Sequence, residues 1–347
     1  MAAALIRRRQ VERQQGVLRP TNLARDLYQL AELVEVCFGP NLDANGRASI
    51  SEMKALGRLG PLLWLIDLLE NVGLGMGRGF VWRIGNRVIG NVSMYSGGNH
   101  PSLGPGWLIA NVAVHPDHQR QGIARNLMIA AMGLIQQKLH GRWIALEVEA
   151  NNQAAKRLYD SLGFETFETV NHWESNTGLR SSTIAPPSAM WGVRPRTAGD
   201  GLAELELIFN RARIGGMAWT QVLTRNEVAG SLFAGFNTWM NSLQNRAVLP
   251  DPAHPHDLLG SAWIEASAWR NTRVTLFLDP ALYDPAGRQA LVRYALRSDD
   301  LDGKIVKVET TASDEAVEKL LQEWGFRRVR SLTQMRYVFQ QGLNTPS

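Results

Sequence analysis

Cysteine is nearly absent: Cys37 is the one cysteine in 347 residues. No disulfide can form within the chain, which predicts a reducing, cytoplasmic setting. Long apolar runs are missing as well. The longest, residues 62–69, is interrupted by Asp67 and closed by Glu70, well short of the roughly 20 residues a membrane span needs. A buried helix is expected there, and no membrane partner. Residues 1–6 precede the run Arg7-Arg8-Arg9 instead of following it, the reverse of a secretory leader. A strong charge of one sign is also lacking. The net charge is +5, and Arg7, Arg8, Arg9 and Arg13 against Glu12 supply most of it. The basicity is therefore a tail over residues 1–15, read as a solvated arm in preference to a nucleic-acid contact.

What is present is enough apolar material for two cores. Hydrophobic residues make up 45% and charged residues 20%, the balance of a globular protein, and the length suits two domains. The chain reads as two similar halves. Leu18-Arg19-Pro20 leads into a helical stripe of Leu23, Leu27, Leu30 and Val34. Val193-Arg194-Pro195 leads into Leu202, Leu205 and Phe209, which align with Leu27, Leu30 and Val34. The ends match too: a strand 144–148 and a helix closing at Leu162-Gly163-Phe164 parallel a strand 306–310 and a helix closing at Trp324-Gly325-Phe326. The second half is shorter in its middle, so the pattern is a duplicated domain rather than a short-period solenoid. The expected division is a tail 1–15, a first domain 16–174, a linker 175–190 rich in Ser, Thr and Pro, and a second domain 191–341.

The first half alternates strands and helices, a mixed α/β pattern. Strands 80–84 and 88–94 flank Gly85-Asn86, a hairpin turn pair. Strand 107–114 is followed by a helix 122–139, with Ile123, Leu127, Ala131, Leu134 and Ile135 as its buried stripe. A strand 142–149 then precedes a helix 152–162, striped by Ala155, Leu158, Tyr159 and Leu162.

Between strand 107–114 and helix 122–139 lies the loop from His115 to Gln119, Arg120, Gln121, Gly122, Ile123 and Ala124. A strand entering a helix through a glycine turn exposes backbone N–H groups at the positive end of the helix dipole, an anion site. Gly122 allows close approach of a phosphate, small Ala124 keeps the first turn open, and Arg120 and Arg125 can add charge-assisted contacts. By itself such a loop is equally compatible with a structural turn.

Its neighbours narrow the choice. Gln119-x-x-Gly122-x-Ala124, the preceding strand Val112-Ala113-Val114 with His115-Pro116, and Asn152-x-x-Ala155-x-x-Leu158-Tyr159-x-x-Leu162-Gly163-Phe164 stand in order. Together they resemble the GNAT superfamily of N-acetyltransferases. The resemblance implies that residues 119–125 bind the pyrophosphate of acetyl-CoA and that Val112, Ala113 and Val114 meet the pantetheine arm and thioester. It implies that Asn152 contacts that arm or holds the splayed strands, and that Tyr159 protonates the leaving thiolate. A core tyrosine with a satisfied hydroxyl is the rival reading of Tyr159. The glutamate many family members carry early on the central strand has no counterpart in Trp107-Leu108-Ile109-Ala110-Asn111. Glu147 and Glu149, which share a strand face, are candidates for the base, alongside a purely structural role.

In the second half the corresponding loop, residues 280–287, lacks the motif. Two prolines remove N–H donors, Asp279 and Asp284 would repel phosphate, and the positions of Asn152 and Tyr159 become Asp314 and Leu321. The expected architecture is thus two tandem GNAT-like domains of α/β, mixed-sheet type, the second degenerate, similar in layout to mycothiol synthase. The expected activity is acetyl-CoA-dependent transfer of an acetyl group to a primary amine of a small molecule or peptide, without a metal. A CoA-binding regulatory protein with little turnover is the alternative. Monomer and homodimer both stand open. His254-Pro255-His256 is read as loop rather than as metal ligands.

Overall fold

A computed structural model of the chain describes residues 16–39, 44–58, 78–100, 103–212, 243–266 and 272–340. The arginine tail and the apolar run 62–69 lie outside the described residues. The chain forms two compact units. One comprises Met1–Ser96, Gly104–Leu146 and Val338–Ser347, the other Gly97–Leu103 and Glu147–Tyr337.

In unit 1, β1 (Val17–Pro20), β2 (Gly79–Ile84), β3 (Arg87–His100), β4 (Gly104–Val114) and β5 (Trp143–Glu149) lie side by side in that order. The Gly85-Asn86 turn sits between β2 and β3, with Gly85 at φ 57°, a conformation glycine adopts without strain. Helix α1 (Leu23–Phe38) is capped by Asn22, whose side chain accepts the Arg25 N–H. It packs Leu30 and Leu33 on Val81, Val88 and Ala113 of the sheet. Its buried face also carries Asp26, fully enclosed and bonded by Arg83 at 2.6 Å. Pairing is what makes such a buried carboxylate tolerable. Helix α2 (Ala44–Gly57) follows α1, and helix α3 (Ile123–Gln137) buries Ile123, Leu127, Met128, Ala131 and Ile135. That is the predicted stripe with Met128 taking the place of Leu134.

Unit 2 begins with the end of β5 and α4 (Gln153–Asp160). It continues with β6 (Glu165–Ser175), β7 (Arg194–Pro195), α5 (Gly201–Glu206), β8 (Leu243–Pro250), β9 (Leu258–Ala266) and β10 (Thr272–Leu278). Helix α6 (Pro285–Leu296), β11 (Val306–Thr311), α7 (Glu315–Glu323) and β12 (Phe326–Val338) complete it. Its sheet order is β12-β6-β11-β10-β9-β8-β7. The last strand of the first half, β6, is thus inserted between two strands of the second, pairing antiparallel with β11 on one side and β12 on the other. This insertion is why the compact units part at Leu146 and not in the 175–190 stretch. That stretch is packed, with Leu179 and Ile184 in the same core as Trp173, Val308 and Leu291.

The stripe expected after Pro195 is arranged differently. Leu202 is 83% exposed, and the enclosed residue of α5 is Glu204. Its carboxylate accepts from Ser261, Trp263, Arg196 and Arg246. A fully bonded carboxylate satisfies the burial requirement that the apolar pattern assigned to leucine. The helix then widens into a π-helical turn over Leu207–Ala212, burying Leu207 and Ile208.

Candidate functional site

In unit 1, β4 and β5 run parallel and in register only from Gly106 and Trp143 to Ile109 and Leu146, although β4 continues to Val114. Asn111 lies two residues past the last of these pairs at φ 52°, a left-handed conformation uncommon for a non-glycine strand residue. The backbone of Val112, Ala113 and Val114 therefore extends past its paired neighbour. Ala113 is buried against α1, while Val112 and Val114 are half-buried.

The chain leaves β4 through a tight turn. The His115 N–H donates to Ile89 at 2.8 Å, Pro116–His118 forms a single 3-10 turn, and the Gln119 side chain donates to the Val114 carbonyl at 3.2 Å. Arg120 has φ 60° and Gly122 has φ 77°. Gly122 is the N-cap of α3 and carries no side-chain cap, and a Cβ built there would meet nothing within 4 Å. Among the described residues no acceptor is bonded to the N–H groups of Gln121, Gly122, Ile123 and Ala124. Alternating left-handed residues with converging free N–H groups at a helix start make a concave anion cradle. Gln119, Arg120 and Gln121 are exposed around it, Arg125 is half-buried, and Ile123 anchors the turn in the core. The residues present fit a phosphate-bearing ligand.

Unit 2 holds the other residues singled out from sequence. Asn152 is the N-cap of α4, its side-chain oxygen accepting the Ala155 N–H at 3.1 Å. Tyr159, 5% exposed, is the buried residue of α4, its ring 6.0 Å from that of Phe164. Burial pushes its phenol up to about 12, so the hydroxyl stays protonated at any physiological pH. Among the described residues no hydrogen-bond partner meets that hydroxyl. Glu147 and Glu149 both reach toward β12: Gln334 donates to Glu147 at 3.0 Å and Arg330 to Glu149 at 2.6 Å. Glu149 is thus held in an ion pair, whereas Glu147 is exposed and bound by an amide alone.

His172 was not legible from the sequence. It sits on β6 opposite Glu309 of β11 and Arg330 of β12, its Nδ1 3.5 Å from Glu309 Oε1. Burial lowers it to about 4; Glu147 and Glu149 oppose that, and Arg330 and Arg273 add to it. The signal available beforehand was a polar residue in a strand of otherwise mixed pattern, which β6 shares with many edge strands.

The second half offers the matching position without the cradle. The α6 N-cap is Asp284, whose carboxylate accepts the Ala286 N–H at 2.8 Å, with Pro285 at the first helical position. Asp279 is buried, taking Arg211 at 2.7 Å and the Ala281 N–H at 2.8 Å.

Residues 57–164 match the model of the Acetyltransferase (GNAT) family. That segment of the chain is similar to the GNAT family. Among curated relatives, [ribosomal protein bS18]-alanine N-acetyltransferase of Escherichia coli K12 is 39% identical over 77 residues, 21% of this chain and 49% of that protein. Mycothiol acetyltransferase of Rhodococcus jostii RHA1 is 36% identical over 72 residues, 21% of this chain and 22% of that protein. The chain thus spans about half or less of the curated relatives it matches. Whole-chain likeness comes from solved structures. A GCN5-related N-acetyltransferase from Sphaerobacter thermophilus aligns with TM-score 0.59 and 15% identity, covering 94% of this chain and 97% of that one. A tandem GNAT protein from the clavulanic acid biosynthesis pathway aligns with TM-score 0.53 and 14% identity, covering 94% and 100%. At such identities the likeness concerns fold: the chain shares the fold of these proteins.

Proposed function

We propose that this protein is an acetyl-CoA-dependent N-acyltransferase that moves an acetyl group to a primary amine by direct attack. The observation that carries this reading is the uncapped, glycine-led start of α3, with its free N–H groups and open space at Gly122. It suits the pyrophosphate of CoA, and residues 119–125 are its proposed contacts. The backbone of Val112, Ala113 and Val114 is assigned to the pantetheine arm and to the carbonyl oxygen, whose developing charge N–H donors stabilise. The amine lone pair attacks the thioester carbon, the C–S bond breaks, and the sulfur leaves with the electron pair. Tyr159, whose hydroxyl is protonated, gives the thiolate its proton, and Asn152 is assigned to contact the arm or to hold the splayed strands. The amine's proton leaves to Glu147, the more accessible of the two strand carboxylates, or to Glu149 through water.

The domain division belongs to the same reading: a catalytic domain over 16–174, a connection over 175–190, and a second GNAT-like domain over 191–341 that binds no CoA. No helix among the described residues is long and apolar enough to cross a membrane, and a cytoplasmic setting accompanies the proposal. The named relatives are a [ribosomal protein bS18]-alanine N-acetyltransferase and a mycothiol acetyltransferase, which supports an amine acceptor as a class. Calorimetric titration with CoA, together with free-thiol release from acetyl-CoA over a panel of amines, tests the proposal. Absence of CoA binding refutes it, and binding without turnover of any amine replaces it with the regulatory alternative.

A further inference from the structure

Strand β3 places Asn91, Ser93 and Tyr95 on one face of the unit 1 sheet. The intervening Val92 and Met94 are buried, and Gly90 abuts Ile123 and Leu127 of α3. The face toward α3 is therefore apolar, and the opposite face carries a polar stripe. Asn91, 2% exposed, donates from Nδ2 to Ser93 Oγ at 3.1 Å and to the Asn111 carbonyl at 2.9 Å. Asn111 donates from its own Nδ2 to the Tyr95 hydroxyl at 3.4 Å.

Asn111 is exposed and left-handed within β4, a conformation that costs a non-glycine residue free energy and persists only where surrounding bonds enforce it. Here a buried side chain, Asn91, bonds the Asn111 carbonyl. Strain, a dedicated buried support and exposure coincide one residue before the stretch assigned to the thioester. Among the described residues, Asn111 Oδ1 and the Tyr95 O–H proton are left without a protein partner.

We propose that Asn111 and Tyr95 form the subsite for the acceptor's attacking nitrogen. Asn111 Oδ1 accepts one N–H of a neutral primary amine, and Tyr95 O–H donates to a polar atom beside it. The proposal rests on the acyltransfer reading and deepens it. A carboxylate at this position would pair with an ammonium ion and favour its retaining the proton, which occupies the lone pair needed for attack. An uncharged amide oxygen favours the ammonium form far less than a carboxylate does. The subsite thus selects amines that are substantially neutral near physiological pH. That class is an α-amino group, with an ordinary pKa of about 8, rather than a lysine-type amine of about 10.4.

The test compares alaninamide with Nα-acetyl-lysinamide as acceptors for wild type, Asn111→Gly and Tyr95→Phe. Asn111→Gly keeps the left-handed backbone accessible and removes only the amide. Wild type is expected to favour alaninamide at least tenfold in kcat/KM at pH 7.5. Each variant is expected to lose about tenfold of that kcat/KM, the worth of a hydrogen bond of ordinary strength, with the acetyl-CoA KM unchanged. Unchanged acceptor kinetics in both variants overturn the subsite, and a preference for lysinamide overturns the substrate class. NMR of the Asn111 side-chain amide needs no turnover. Its resonances shift on adding alaninamide if the subsite exists, and unmoved resonances refute it. Calorimetry with CoA reports separately on the acyltransfer reading, so failure of one is not mistaken for failure of the other.

Discussion

The starts of α3 and α6 answer the same structural question in opposite ways. In each half a parallel strand pair stays in register for a short stretch and the first strand then runs on: β4 with β5, and β10 with β11. At α3 the N-cap is a glycine with no side chain, and N–H groups are left open. At α6 the chain supplies its own anion: Asp284 bonds the first turn, Pro285 removes a donor, and Asp279 takes Arg211. Arg288 of α6 turns inward to the Leu282 carbonyl and to Asp314. A helix start binds an external anion when the sequence omits the cap that would normally stabilise it. The ligand site proposed at α3 would rest on a missing local interaction, and α6 shows the interaction restored.

The largest effect is expected from making the two alike. Gly122→Asp places at the α3 N-cap the carboxylate that α6 has at Asp284. Aspartate tolerates the left-handed backbone better than most residues, and Gly122 has open space for it, so the fold should persist. CoA affinity should fall a hundredfold or more, about 3 kcal/mol, from repulsion and from loss of charge-assisted N–H contacts. Calorimetry reads this directly, and retention of CoA affinity in a folded variant places the cofactor elsewhere.

Tyr159 sharpens the contrast at the next level, because its counterpart in the second half, Leu321, is equally buried but has no proton to give. Tyr159→Phe keeps the ring against Phe164 and removes the hydroxyl. The expected result is a fall in kcat of about a hundredfold, the ordinary scale of general acid catalysis, with the acetyl-CoA KM within twofold of wild type. A kcat that does not move assigns Tyr159 to packing alone.

Much of this contrast was readable in the sequence. The hairpin at Gly85, the β4–loop–α3 passage, the helix beginning near residue 152 and the missing motif at residues 280–287 are local features, written in short patterns of glycine, proline and apolar spacing. What escaped was long-range. Nothing near residue 172 announces that β6 will be flanked by β11 and β12, so His172 and Glu309 could not be paired beforehand. The leucine pattern after Pro195 suggested an apolar stripe, but the bonds from Ser261, Trp263, Arg196 and Arg246 let Glu204 take the buried place. The left-handed Asn111 was invisible because a strand of mostly apolar residues gives no sign of a left-handed residue within it.

The inserted β6 also allows a pH test of the second half. His172, lowered by burial to about 4, binds its proton later than in the unfolded chain, whose ordinary value is 6.5. As pH falls from about 6.5 toward 4 the unfolded state gains the proton first, so stability drops across that window and is fully present above it. Glu147, Glu149, Glu309, Arg273 and Arg330 face the ring and set the size of the effect, about 2 kcal/mol by the pKa difference after allowance for partial exposure. Denaturant titrations at pH 7 and pH 4.5 should show His172→Gln losing less stability on acidification than wild type. Parallel losses would show that the imidazole is not what titrates.

The smallest effect comes from the reverse exchange. Asp284→Ala removes the cap from α6 and should cost about 1 kcal/mol of stability, the ordinary worth of a capping carboxylate, read as a lowered denaturant midpoint. It should not create CoA affinity. Asp279 still occupies the strand end with a buried negative charge, Pro285 still withholds an N–H, and Arg288 remains committed to Leu282 and Asp314. Removing one carboxylate therefore exposes too few donors to make a cradle. If the uncapped α6 did bind CoA measurably, a single side chain would separate the two halves, and the second would have to be regarded as masked rather than degenerate.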